Sequence, residues 1–235
     1  MMWNKLHIII PLVISCAANA QFKDAGMWTS LALSAELSKK LEVSISPEVR
    51  LDENITRLAS AFTDAGAQYK FSKRLSISAT YRGGVRRNDL FFDPRQRLQL
   101  GVALKKKWND FTFTYQPRWQ FAIANFAGES DADFVTTVRN RFKVNYSGLK
   151  KTDISTSFET FNATENNTNL ALQNWRWIGE VERSLNKSQS LSVGYLVQKS
   201  LHDSPQEMDF VLLVSYQLQL DLKKKGDKND EPPAR

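Results

Sequence analysis

From residue 26 to about residue 222 the chain alternates apolar and polar positions with a period of two. Leu41, Val43, Ile45, Pro47, Val49 and Leu51 are separated by Glu42, Ser44, Ser46, Glu48 and Arg50. Leu75, Ile77, Ala79, Tyr81 and Val85 alternate in the same way with Ser76, Ser78, Thr80, Arg82 and Arg86. Phe111, Phe113, Tyr115, Trp119, Phe121 and Ile123 do so against Thr112, Thr114, Gln116, Arg118 and Gln120. Successive side chains of a strand point to opposite faces, so each segment carries one apolar face and one polar face. Helical spacing recurs nowhere over a useful length.

Segmenting this pattern gives eleven candidate strands, near 26–37, 41–52, 57–71, 75–88, 95–107, 110–123, 134–147, 152–163, 170–184, 190–201 and 208–222. Many exceed the roughly 5–6 residues of a globular strand and suit the roughly 9–11 that cross a bilayer at a tilt. Tight turns are expected at 38–40, 72–74, 108–110, 147–151 and 186–189, and longer links near 88–94, 124–133, 163–169 and 202–207. Short turns at one end and longer loops at the other are the habit of outer-membrane barrels. The predicted fold class is therefore all-β, an antiparallel transmembrane β-barrel of about 10–12 strands in meander order, over residues 21–222. Bacterial single-chain barrels carry even strand numbers. The expectation is accordingly ten or twelve, with twelve ahead, rather than eleven. Pro47 and Pro117 sit inside predicted strands and suggest bulges or strand ends, and Gly83-Gly84 suggests a bend or a close approach.

Alternation alone does not say which face is outside. One face carries Phe111, Phe113, Tyr115, Trp119, Phe142, Tyr146, Phe158, Trp175, Trp177, Tyr195 and Tyr216. Trp28, Trp108, Trp119 and Trp175 lie toward segment ends, where aromatic girdles meet the lipid headgroups. The other face carries Glu48, Arg50, Arg82, Arg86, Arg97, Arg118, Arg139, Arg141, Arg176, Glu180 and Glu182, which are read as lumen-lining. This favours a greasy exterior. The opposite assignment describes a soluble periplasmic barrel holding an apolar ligand.

The first twenty residues differ from the rest. Lys5, the apolar run 6–14 and Ala18-Asn19-Ala20 before Gln21 form a secretory signal with cleavage between Ala20 and Gln21. Cys16, preceded by Val13-Ile14-Ser15, offers a rival lipoprotein reading. Cleavage after Ala20 removes the chain's one cysteine, and with it any disulfide or thiolate chemistry. Residues 223–235 are highly charged, carry a Pro-Pro pair near their end, and read as a disordered tail. Mean hydropathy is −0.42, which conceals membrane strands because their apolar residues occupy alternate positions. The net charge of +7 would suit nucleic acid, but an exported chain meets anionic headgroups and solutes instead. The localisation expected is the cell outer membrane. The partners expected are outer-membrane lipids, the outer-membrane assembly machinery and a small anionic solute, with no nucleic acid.

Three short stretches carry a family likeness. Gly26-Met27-Trp28 follows soon after Gln21. Leu-Ser-Lys-Lys-Leu at 37–41 leads into Ser46-Pro47-Glu48-Val49-Arg50, and Tyr69-Lys70-Phe71 precedes Leu75 through Tyr81-Arg82-Gly83. In these the chain resembles the bacterial family catalogued as domain of unknown function 2490, common in Bacteroidetes. The resemblance implies an outer-membrane barrel over nearly the whole mature chain and supplies no catalytic residues.

Candidate chemistry is sparse. His202, beside Ser200, Asp203 and Ser204, is the one histidine after the signal, and no G-x-S-x-G elbow accompanies it. A membrane-embedded lipid hydrolase is the alternative it would serve. Glu129, Asp131 and Asp133 could attract calcium but read as a solvated loop. No H-E-x-x-H or C-x-x-C motif is present, so neither catalytic residues, metal nor cofactor is expected. The arginine-rich face admits two readings: a narrow pore favouring anions, or an Arg–Glu network filling a structural barrel.

Overall fold

The computed structural model describes residues 25–88, 91–124, 133–165, 169–201 and 208–222. The N-terminal segment read as a signal, with Cys16, Ala20 and Gln21, the loop residues Glu129 and Asp131, His202 and residues 223–235 lie outside them.

Eleven strands make up the described chain. They are β1 (Ala25–Glu36), β2 (Leu41–Asp52), β3 (Arg57–Lys70), β4 (Leu75–Asn88), β5 (Phe91–Trp108) and β6 (Phe111–Ala124). β7 (Asp133–Leu149), β8 (Thr152–Glu165), β9 (Asn169–Ser184), β10 (Gln189–Ser200) and β11 (Met208–Asp221) complete the set. Each strand pairs antiparallel with the next, and the meander closes into a barrel. The closing pair is parallel: β1 lies along β11 from Ala25↔Phe210 to Glu36↔Asp221. The expected even count does not hold, because a parallel seam lets an odd meander close. The seam also sets the ends apart. Ala25 accepts from the Ile55 amide in the β2–β3 turn, at 3.1 Å, while the Leu222 amide donates to Glu36 at the opposite rim, at 3.0 Å.

The period-two pattern sorts side chains as a sheet closed on itself must. In β8, Ser155, Ser157 and Glu159 are buried while Ile154, Thr156 and Phe158 are exposed. The large apolar side chains Phe142, Leu104 and Trp108 are 58%, 49% and 64% exposed. Arg82, Arg118, Arg139 and Glu159 are buried. The apolar face is the outer face, and the core is polar.

Two local expectations change. Neither proline makes a bulge. The β1–β2 ladder is interrupted beside Pro47, between Ser30↔Glu48 and Leu33↔Ile45, and resumes in the same register. The β5–β6 ladder behaves alike beside Pro117, between Gly101↔Arg118 and Leu104↔Tyr115. Each proline lacks the N–H for one neighbour and leaves the other ladder whole. The bulges fall at Arg50/Leu51, Tyr146/Leu149 and Phe161/Asn162 instead. The link expected at 88–94 is also mostly strand. Arg87 pairs with Phe92 and stacks on its ring at 4.8 Å, so β4 and β5 run to the rim.

Gly84 answers to a close approach. A Cβ there would stand 2.7 Å from Phe62 Cα and 2.8 Å from its ring. Gly83 has no such neighbour within 3.4 Å.

Candidate functional site: an arginine-lined lumen

Among the described residues, two large cavities occupy the interior. One, of about 830 Å³, opens toward the rim that holds Asp52, Arg57 and Asp209. The other, of about 540 Å³, extends toward Glu182 and Gln217. Six residues line both: Trp28, Arg50, Arg82, Arg97, Gln120 and Arg176. These form a neck where the cavities meet.

Strand register explains the grouping. Trp28 lies opposite Arg50 across β1 and β2, and Arg82 opposite Arg97 across β4 and β5. Arg118 lies opposite Arg139 across β6 and β7. Like charges facing directly across a ladder repel, so each such pair needs counter-charge. Arg82 finds it in Asp64, with Nε and Nη2 both donating at 2.7 Å. Arg139 finds it in Glu159, with Nε and Nη2 each donating at 2.9 Å, and its Nη1 donates to Gln120 at 3.1 Å. Arg118 lies 3.7 Å from the same Glu159 and donates to Gln116 at 2.8 Å. Arg50 Nε donates to Glu48 at 2.6 Å.

Arg176 lies opposite Glu159 across the β8–β9 ladder, but Arg139 takes that carboxylate, and the Nε and Nη2 of Arg176 donate to the neutral Gln198 Oε1 at 3.0 and 2.5 Å. Arg97 has no hydrogen bond or ion pair among the described residues, and its Nε is a buried donor without a partner. Arg141 also carries a partnerless Nε but lines neither cavity. Arg86 lines the larger cavity, and Glu48, Arg118, Arg139, Glu180 and Glu182 the smaller one. Basic side chains outnumber acidic ones along the two cavities.

Sequence reasoning missed three aromatics. Trp28 was expected in the outer girdle, but its ring lies 3.6 Å beneath the Arg50 guanidinium and 5.2 Å from that of Arg176. Phe62 supports Arg50 and Arg82, at 5.3 and 4.9 Å. Phe161 supports Arg139 and Arg176, at 4.4 and 4.9 Å. The signal for them was phase. Trp28 is two residues from Ser30, Phe62 lies between Ser60 and Asp64, and Phe161 is two residues from Glu159, all on the polar face. Guanidinium groups stack on aromatic faces and keep their N–H edges free for planar or tetrahedral oxyanions.

The family's sequence profile, described as protein of unknown function (DUF2490), matches residues 25–209. The chain belongs to this DUF2490 family. No curated protein matches it. The family match spans β1 to the start of β11, so it covers every arginine of the neck. Among the described residues of this DUF2490 protein, no group of three or more His, Cys, Asp or Glu is placed to hold a metal ion.

Proposed function

We propose that this DUF2490 protein is an outer-membrane barrel whose interior is a narrow, anion-favouring passage. The observation that carries the reading is the inverted polarity of the wall, with Phe142, Leu104 and Trp108 outside and Arg139 with Glu159 inside. A water-soluble barrel would leave that outer surface as one continuous apolar patch, far above the few hundred Å² that soluble monomers expose. Hydrocarbon removes the penalty, and a closed barrel leaves no unpaired edge to the lipid. The signal-like N-terminus supports export. The excess of lumen arginine concentrates anions over cations.

Orientation follows from the turns. Outer-membrane barrels place their short turns in the periplasm. The turns after β1, β3, β5, β7 and β9 share the rim of Glu36 and Leu222, which supports a periplasmic position for that rim and a cell-surface position for Ala25.

Reconstitution into a planar bilayer tests the passage. Discrete conductance steps, with a reversal potential shifted toward the anion, are expected. The Arg139–Glu159 cluster favours a second reading, a barrel filled by ion pairs, and a stably inserted protein with no conductance would select it.

A further inference from the structure

The neck holds two guanidinium groups that no carboxylate contacts directly: Glu159 lies opposite Arg176 across the β8–β9 ladder but gives both its oxygens to Arg139. Arg97 faces Arg82 directly across the β4–β5 ladder, yet Asp64 is already taken in a two-point pair with Arg82. Arg176, four strands further round the wall, is held by Gln198, which fixes its position without neutralising its charge. Both line both cavities, so any solute crossing the lumen passes both.

Packing alone does not account for this arrangement. Arg50, Arg82 and Arg139 each hold a carboxylate in an ion pair, and Arg97 and Arg176, which line both cavities, hold none. Two like charges retained opposite each other, with a buried partnerless donor on one of them, are destabilising unless something else supplies negative charge. The aromatic shelf points the same way. Trp28 and Phe161 lie against Arg176, at 5.2 and 4.9 Å, and Gln198 takes its Nε and Nη2, which leaves Nη1 without a hydrogen bond among the described residues. A guanidinium N–H so left can donate to a phosphate or carboxylate oxygen.

We infer that the neck is a binding site for a small, doubly charged oxyanion, held by Arg97 and Arg176, the two neck guanidinium groups outside any ion pair. The ligand class is a phosphate-bearing or dicarboxylate solute in water, because the site opens into the lumen and not onto the outer wall. This rests on the barrel reading above but not on conduction, since a closed barrel could hold the same ion.

Isothermal titration calorimetry of the full chain, folded in a nonionic detergent at low salt and pH 8, tests it with inorganic phosphate as the probe. Succinate and acetate serve as separate arms. Saturable phosphate binding near one per barrel is expected, with acetate at least tenfold weaker. Arg97→Gln and Arg176→Gln should each weaken phosphate binding at least tenfold, while Arg74→Gln, in an exposed turn, leaves it unchanged. Arg97→Gln removes one of two facing charges, so it should retain the folded, heat-shifted gel band that reports an intact barrel. Succinate matching phosphate would support the site and assign it to dicarboxylates as well. No saturable phosphate or succinate binding, or wild-type affinity in Arg97→Gln, would overturn it. A barrel that conducts but binds no oxyanion keeps the passage and loses the site. One that binds phosphate but passes no current keeps the site and loses the passage.

Discussion

Glu159 lies directly opposite Arg141 on the neighbouring strand, yet it gives both carboxylate oxygens to Arg139, one step along the diagonal. The residue directly opposite Arg139 is Phe161, whose ring supports the guanidinium from below at 4.4 Å. The diagonal therefore wins because it offers a two-point pair and an aromatic base together. Arg118, at 3.7 Å, shares the same carboxylate, so one acid restrains two buried arginines.

Removing that acid should be expensive. Glu159→Gln leaves Arg118 and Arg139 buried without counter-charge, and breaking a buried pair from one side costs about 3–5 kcal/mol. Urea unfolding of the micelle-folded protein measures it. A loss below about 1 kcal/mol would show that water reaches the cluster freely and that the ion pair does not set the structure of the neck.

Gly84→Ala should destabilise by about 1–3 kcal/mol, because overpacking forces the facing backbone to shift. Its Cβ would press on the Ala61 carbonyl oxygen and on Phe62, whose ring supports both Arg50 and Arg82. Gly83→Ala, with no contact closer than 3.4 Å, should be nearly neutral. The same urea titration compares the two, and equal losses would remove Phe62 from the account.

Leu100 stands near the middle of β5 on the outer face and is 43% exposed. Leu100→Arg should cost about 2–4 kcal/mol in a bilayer, the penalty for a basic side chain at the midplane of a membrane barrel. Folding titrations in lipid vesicles read this directly. A stabilised or unaffected variant would place Leu100 in water.

The parallel seam predicts a split between the two ends of the chain. An epitope inserted between Gln21 and Ala25 should be labelled by antibody on intact cells, and one placed after Leu222 only after permeabilisation. Labelling of both on intact cells, or of neither, would contradict the orientation derived from the turns and the β1–β11 pairing.

Much of this architecture was legible because alternation is a local signal. The eleven segments match the strands closely, and the arginines and the bulky aromatics such as Phe142 and Phe158 fall on opposite faces. Closure was not legible. Which strand meets β1 depends on a contact between residues 25 and 210, and nothing local distinguishes a parallel seam from a missing strand. Trp28, Phe62 and Phe161 were hidden because a large aromatic suggests the lipid face, although their phase with Ser30, Asp64 and Glu159 placed them inside. Partner choice was hidden too. Register puts Glu159 opposite Arg141, and only side-chain geometry sends it to Arg139.

The central claim is that the apolar face meets lipid. Fractionation of cells producing the untagged protein, with each fraction run on a gel with and without boiling, tests it most directly. The account predicts recovery in the outer membrane and a band that migrates as a compact species until heated. Recovery in the soluble periplasm, with no heat-dependent shift, would contradict it.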